Sequence, residues 1–106
     1  MSYAVKILTP ADIDTVEAAL WYDAQAPGLG AEFMEEVNAA AQRLAQHPEI
    51  HRLRFADVRR APVPRFKFYG LYYLIQGVEV WVMAVHHGHR HPRWLQERRK
   101  QIGWNF

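Results

Sequence analysis

Hydrophobic and polar positions follow one period in the first half of the chain and another in the second half. Residues 3–8 alternate as in a short strand, and apolar residues then recur at helical spacing up to about residue 47. From residue 56 onward, β-branched and aromatic residues dominate. The pattern predicts an α+β domain of order β-α-α-β-β-β, with two N-terminal helices packed on one face of a small antiparallel sheet.

Two helices are predicted in the first half of the chain. Thr9 is expected to cap the first helix, with Pro10 at its first helical position. Residues 26–30 contain proline and two glycines and predict a tight connection to a second helix over 31–47, which ends at Pro48. The apolar faces expected against the sheet are Ile13, Val16, Leu20 and Ala24 on the first helix and Phe33, Val37, Ala40, Ala41 and Leu44 on the second.

Three strands and a short tail are predicted in the second half. The strands are expected over 56–63, 65–76 and 78–87, with Gln76-Gly77 as the hairpin turn between the last two. Residues 92–100 predict a short helix that begins at Pro92 and is anchored by Trp94 and Leu95. The length of 106 residues favours one domain over 1–106.

The charge is divided between the two halves. Residues 1–50 carry two basic and eight acidic side chains, whereas residues 51–106 carry eleven basic and three acidic ones. This asymmetry indicates a surface for a polyanion or an acidic partner. The absence of cysteine excludes disulfides and thiolate chemistry. No apolar run is long enough to cross a bilayer, so a soluble cytoplasmic protein is expected.

The segment HHGHRHP at 86–92 concentrates four histidines and raises the question of a metal site, an acid/base centre or a basic patch. A zinc site usually draws its ligands from separate elements of the fold. His86 and His87 are adjacent at a strand end, where their side chains would point to opposite faces. No metal or cofactor is therefore expected.

Several stretches together resemble a known family, and the resemblance covers nearly the whole chain. They are WYDAQAPGLGAEF at 21–33, VRRA at 58–61, RFKF at 65–68, LYY at 71–73 and AVHHGHRHP at 84–92, followed by Trp94 and Arg98. In this order they resemble the RelE/ParE superfamily of type II toxin–antitoxin systems, and most closely its ParE-like, plasmid-stabilisation branch. The resemblance implies a toxin neutralised by a cognate antitoxin, which acts on DNA gyrase or as a ribosome-dependent endoribonuclease.

The nuclease alternative needs an acid/base group and cations on the phosphate. His87, or His86 beside it, has a reference pKa suited to proton transfer, and Arg65 and Arg90 are the candidates for holding the phosphate. The chain departs from the RelE-type pattern at two positions. RelE-type enzymes have an arginine at the position that Gly70 occupies here. Their C-terminal tyrosine corresponds by spacing to the region of Trp94.

The ParE-like alternative is favoured and requires only binding surfaces. Trp21 and Tyr22 lie on a helix where catalysis is improbable, and they are expected either to pack within the fold or to contact the antitoxin. The candidates for binding the target or nucleic acid are Arg59, Arg60, Lys67, Arg93, Trp94 and Arg98. Arg59, Arg60 and Arg65 would alternatively be solvated strand residues without a partner. A third possibility is a non-toxic nucleic-acid-binding domain.

Overall fold

The computed structural model describes residues 2–66, 68–88 and 91–102. Lys67 and Arg90, two of the candidate site residues, lie outside this part of the chain. The strands are β1 (Ala4–Ile7), β2 (Leu53–Phe55), β3 (Val58–Pro62), β4 (Tyr69–Gln76) and β5 (Glu79–His87). The helices are α1 (Thr9–Gln25), α2 (Leu29–Arg43) and α3 (Pro92–Ile102), and Pro64–Phe66 form one 3-10 turn.

The described strands form a sheet of order β1-β5-β4-β3-β2, which confirms the α+β class. The prediction of an antiparallel sheet is wrong at one edge, because β1 pairs in parallel with β5. The remaining pairs are antiparallel. The local sequence pattern does not reveal this orientation, because the paired residues, such as Ala4 and Glu79, lie far apart in the sequence.

The predicted strand boundaries need three corrections. Residues 56–57 form a turn with Ala56 at a φ of 49°, so the strand predicted from 56 begins only at Val58 as β3. The short strand β2 before this turn was not predicted. The segment 64–66 turns because Pro64 cannot donate a ladder hydrogen bond, and β4 begins only at Tyr69. The hairpin turn is Gly77-Val78 rather than Gln76-Gly77, since Gln76 pairs with Glu79.

The two N-terminal helices cover one face of the sheet, as predicted. The stripe expected on α2 is buried throughout, with Phe33 and Leu44 at its two ends. The stripe expected on α1 is wrong: Ile13, Val16 and Leu20 are exposed, and so is Ala24. The face of α1 that packs inward consists of Ala11, Asp14, Thr15, Ala18 and Ala19. Small side chains allow α1 to approach α2 and the sheet closely, so the larger apolar side chains point outward.

The start of α1 also differs by one residue from the prediction. Leu8 is the N-cap and Thr9 is already helical, which places Pro10 at the second helical position. The Leu8 carbonyl accepts hydrogen bonds from the Ala11 and Asp12 amides, at 2.9 and 3.0 Å. The Leu8 amide donates to the Val82 carbonyl at 3.0 Å, so hydrogen bonding to β5 continues up to the residue at which α1 begins.

The opposite face of the sheet is covered by α3, which begins at Pro92 as predicted. Leu95 is buried there against Tyr72, Leu74 and Met83, and Trp94 packs at the margin of the same cluster. A β-bulge at Met83 places Met83 and Ala84 on the same side of β5. Burial on both faces explains why β4 is a continuous apolar run.

The junction between α1 and α2 depends on Gly30. Its amide donates to the Asp23 carboxylate at 2.7 Å, and a Cβ at this position would collide with the Ala19 carbonyl oxygen. That oxygen is backbone and cannot move aside, so we expect Gly30→Ala to lower the free energy of unfolding by about 2 kcal/mol. This result would be the reverse of the usual one, because a glycine-to-alanine change inside a helix normally stabilises the protein. Urea unfolding measures the difference, and Asn38→Ala, at an exposed position of α2, should instead be neutral or slightly stabilising.

Candidate functional site

An aromatic depression lies where α1 passes the ends of β4 and β5. Its lining residues, which we call the aromatic groove, are Trp21, Tyr22, Phe68, Tyr69 and His87, around a cavity of about 410 Å³. A second cavity of about 280 Å³ adjoins it and shares Trp21, Tyr69 and His87. Asp14, Glu17 and His86 line the far end of this second cavity. The two cavities together form a continuous groove along α1.

Tyr22 connects the aromatic groove to the core. Its ring lies 4.9 Å from that of Phe66, 5.2 Å from Phe33 and 5.9 Å from Tyr69, measured between centroids. Burial, followed by the proximity of Tyr69, raises the pKa of the Tyr22 hydroxyl. Trp21, one position earlier on the helix, contacts Tyr22 edge-on and leaves 58% of its surface exposed. Of the two predicted antitoxin residues, Tyr22 is therefore partly buried against the core, whereas Trp21 is open to solvent.

The exposed apolar residues of α1 continue this groove along the helix. The set, called here the α1 stripe, comprises Ile13 at 53% exposure, Val16 at 47%, Leu20 at 66% and Trp21 at 58%. Their spacing places them along one side of the helix. The exposed carboxylates of Asp12, Glu17 and Asp23 lie on the same helix. Contiguous exposed apolar surface bordered by charge is typical of a protein-binding site.

The two adjacent histidines at the end of β5 have different surroundings. His87 is exposed and contacts the rings of Tyr69 and Phe68, at 5.6 and 6.0 Å between centroids. His86 lies 3.4 Å from the Asp14 carboxylate and 4.5 Å from the Trp94 ring. Among the described residues, which leave out His89, no three His, Asp or Glu side chains are grouped as metal ligands would be.

The described structure does not bring the nuclease candidates together. Arg65 lies in the 3-10 turn, and its guanidinium binds the Glu32 carboxylate of α2 at 2.7 Å. Hydrogen bonding to Glu32 raises the pKa of Arg65, with smaller contributions from Glu36 and Glu35. His87 contacts Phe68 and Tyr69 instead. The described residues therefore show no contact between Arg65 and His87.

Two arginines of β3 bind groups of the protein itself. Arg59 donates to the carbonyls of His51 and Glu49, at 2.7 and 3.3 Å, and so attaches the loop after α2 to the sheet. Arg60 is buried, and its Nη2 donates to the Phe68 carbonyl at 3.2 Å. Neither side chain is a solvated strand residue. Their contacts with a target stay a prediction.

On α3 the candidate residues differ in exposure. Arg93 is exposed and lines an open cavity of about 580 Å³ with His91, Trp94 and Glu97. Trp94 packs between His86 and Tyr72. Arg98 has only 14% of its side chain exposed and lies over the Trp94 ring, 4.8 Å from its centroid. Of the three candidates, Arg93 presents the most open side chain to a partner.

Asp14 is a central residue that sequence reasoning missed. Its carboxylate accepts two hydrogen bonds from Arg98, at 2.8 and 3.2 Å, and one from the Val85 amide at 3.1 Å. Arg98 also donates to the Met83 carbonyl at 3.0 Å. Asp14 and Arg98 therefore form hydrogen bonds with backbone groups of β5 beyond the residues that pair with β1. Burial alone would raise the pKa of Asp14, but hydrogen bonds from His86, Arg98 and Val85 outweigh burial and lower it.

The fold and this surface together define a class of protein. An α1–α2 hairpin on one face of a mixed five-stranded sheet, with a third helix on the other face, agrees with a small toxin of the RelE/ParE superfamily. The chain belongs to the family described as the ParE toxin of type II toxin–antitoxin system, parDE, whose model matches residues 5–92.

The solved structures support the same fold. A chain from a structure titled "Chromosomal ParDE TA system from P. aeruginosa" superposes with a TM-score of 0.74 at 13% sequence identity. The match covers 82% of this chain and 97% of that one. No curated protein matches the sequence significantly. In the part of the chain that the structure describes, no helix has the length and apolar character needed to cross a membrane.

Proposed function

We propose that this ParE-family chain arrests bacterial growth by inhibiting DNA gyrase, and that a cognate antitoxin neutralises it by docking on the α1 stripe and the aromatic groove. The outward orientation of the α1 stripe carries the proposal. Ile13, Val16 and Leu20 are apolar side chains at helical spacing that the fold leaves in solvent. A protein partner that covers them gains the free energy of burying apolar surface.

The charge on the exposed surface of α1 and α2 indicates which side chains the docking segment of the antitoxin should carry. The exposed surface of α1 and α2 carries Asp12, Glu17, Asp23, Glu32 and Glu35, whereas Arg43 is the exposed basic residue of the two helices. A complementary segment is an amphipathic helix whose apolar face is bordered by Lys or Arg. The antitoxin segment proposed for this surface is therefore amphipathic and carries basic residues beside its apolar face, whereas the charge of the second half of the chain predicted an acidic partner.

Gyrase is favoured over mRNA as the target because the described residues lack an assembled catalytic set. Arg65 is paired with Glu32, Gly70 provides no side chain on β4, and Trp94 has no group for proton transfer. A binding mechanism needs only an exposed contact surface. Arg93 and Trp94 on α3 are proposed for it, since arginine and tryptophan anchor interfaces well.

The nuclease alternative is supported by one observation. His87 is exposed in a groove lined by the rings of Trp21, Phe68 and Tyr69, on which an RNA base can stack. Under this alternative His87 is the acid or base, and Arg65 and Arg90 hold the phosphate. Alanine at His87 or at Arg65 is then expected to abolish ribosome-dependent cleavage, and retained cleavage would exclude these assignments.

Expression of the chain in bacteria tests the proposal. Growth is expected to arrest, and co-expression of the adjacent reading frame should restore it. Purified protein is expected to inhibit supercoiling of relaxed plasmid by gyrase and to leave mRNA on translating ribosomes intact. Unimpaired growth at high expression contradicts the toxin proposal, and mRNA cleavage without gyrase inhibition contradicts the target. A non-toxic nucleic-acid-binding domain predicts instead steeply salt-dependent binding.

A further inference from the structure

Arg60 occupies the position that a side chain at residue 70 would need. Arg60 lies opposite Tyr72 in the β3–β4 pair, and its side chain extends along the sheet to cover Gly70. A Cβ at residue 70 would lie 2.5 Å from Arg60 Nε and 2.6 Å from Cζ. Glycine at residue 70 therefore allows a guanidinium from the neighbouring strand to lie directly on β4.

Among the described residues, no carboxylate is paired with this buried guanidinium. Arg60 is 8% exposed, and all eleven acidic residues of the chain lie in its described part, yet none of them forms an ion pair with Arg60. Its Nη2 donates to the Phe68 carbonyl, and its Nε has no acceptor among the described residues. Arg99, which is 3% exposed, is instead paired with Asp57 at 3.1 Å.

An unpaired buried charge is costly, since the protein interior does not replace the solvation that the ion loses. The ring of Tyr72, 5.8 Å from Arg60 Cζ, compensates only in part. A carboxylate brought to the exposed part of the guanidinium would supply the missing charge. The free energy gained on binding such a group is therefore larger here than at an exposed arginine.

The guanidinium lies near an open end of the sheet. It reaches Phe68 and Gly70, where β4 begins, and Tyr72 donates its hydroxyl hydrogen to the Gly88 carbonyl just after β5. Phe68 is 64% exposed, so this end of the sheet faces solvent. Because Phe68 is exposed, the end of the sheet is where a partner's side chain would come nearest to Arg60.

We propose that Arg60 is the receptor for a single Asp or Glu side chain of a protein partner, and that Gly70 is its positioning residue. A carboxylate matches a guanidinium in shape and hydrogen bonding. Because only a small part of Arg60 is exposed, a carboxylate on a flexible side chain fits this site better than the bulkier backbone phosphate of a nucleic acid. The inference rests on the proposed antitoxin only for the natural source of the carboxylate and does not depend on gyrase.

Titration of the whole protein with small probes tests the site. The probes are N-acetylglutamate α-amide, its glutamine analogue and hexauridylate RNA, and the signal is the ¹H–¹⁵N resonance of Arg60 Nε. The resonance is identified by its loss in Arg60→Lys. We expect a saturable shift with the glutamate probe and none with the glutamine analogue. No saturable shift, or a shift caused by the RNA alone, overturns the proposal.

Two variants separate the site from general surface charge. Gly70→Ala displaces the guanidinium without removing it, and we expect the affinity for the glutamate probe to fall about tenfold or more. Arg52→Gln, at an exposed arginine elsewhere, should change this affinity less than about twofold. Unchanged affinity in Gly70→Ala contradicts the positioning role. If a variant fails to fold, the comparison of glutamate and glutamine probes on the unsubstituted protein still decides the proposal.

Discussion

Asp14→Ala is expected to lower the free energy of unfolding by about 3–5 kcal/mol, the usual loss when one partner of a buried ion pair is removed. The substitution leaves the largely buried Arg98 guanidinium without its carboxylate and the Val85 amide without its acceptor. It also separates α1 from α3, which Asp14 and Arg98 connect around the edge of β5. Urea unfolding at neutral pH, followed by far-UV circular dichroism, measures the change.

Two variants control for this prediction. Asp14→Asn keeps an acceptor for the Val85 amide but loses the charge, so its loss of stability should be smaller. Glu17→Ala removes an exposed carboxylate from the same helix and should change stability by less than about 0.5 kcal/mol. A loss below about 1 kcal/mol for Asp14→Ala would show that the pair contributes little to folding.

The same pair gives stability a defined pH dependence. The pKa of Asp14 is lowered from its ordinary value of 3.8, so the unfolded chain takes up a proton at this site before the folded protein does. The stabilisation is therefore fully present above pH 3.8 and is lost as the pH falls through the lower folded-state pKa. In Asp14→Asn this contribution to the acid dependence should be absent.

The second large effect concerns the α1 stripe. The double variant Leu20→Lys with Trp21→Ala is expected to weaken antitoxin binding about a hundredfold or more, because buried aromatic and apolar anchors dominate interface energies. Both side chains are more than half exposed in the chain alone, so its stability should change by less than about 0.5 kcal/mol. Calorimetric titration of the variant with the antitoxin measures the affinity, and co-expression measures the rescue of growth.

The matched control lies on a different surface of the chain. Ile50 is 72% exposed in the loop after α2, and Ile50→Lys adds the same charge at a comparably exposed apolar position. This variant should bind the antitoxin with unchanged affinity and be rescued normally. Equal losses at the two positions would indicate a nonspecific effect of charge. Normal rescue of the Leu20 and Trp21 variant would remove the α1 stripe from the proposed antitoxin site.

The two helices show how far periodicity alone predicts burial. On α2 the large apolar residues are the buried ones, because Phe33 and Val37 fill the space between the helix and the sheet. On α1 the inward positions are Ala11, Ala18 and Ala19, and the spacing of Ile13 and Leu20 predicts the wrong face. Periodicity identifies an apolar face, but it does not distinguish a face for the core from a face for a partner.

Residue type and charge predicted part of the candidate site. Trp21, Tyr22 and His87 were selected from the sequence and do line one groove. Arg98 was selected as a contact with the target, whereas its guanidinium binds Asp14 and the Met83 carbonyl. Charge and residue type identify groups able to bind a partner, but only the fold shows which of them already bind the protein itself.

Periodicities and motifs within short segments were enough to predict the order of helices and strands in outline, the α+β class and the resemblance to the toxin superfamily. Tertiary structure alone decided the parallel pairing of β1, the outward face of α1 and the burial of Arg60 over Gly70. It also decided the contacts of Asp14, whose partners lie 71 and 84 residues away. The physical reason is that burial and hydrogen bonding depend on groups brought together by folding, which no local pattern contains.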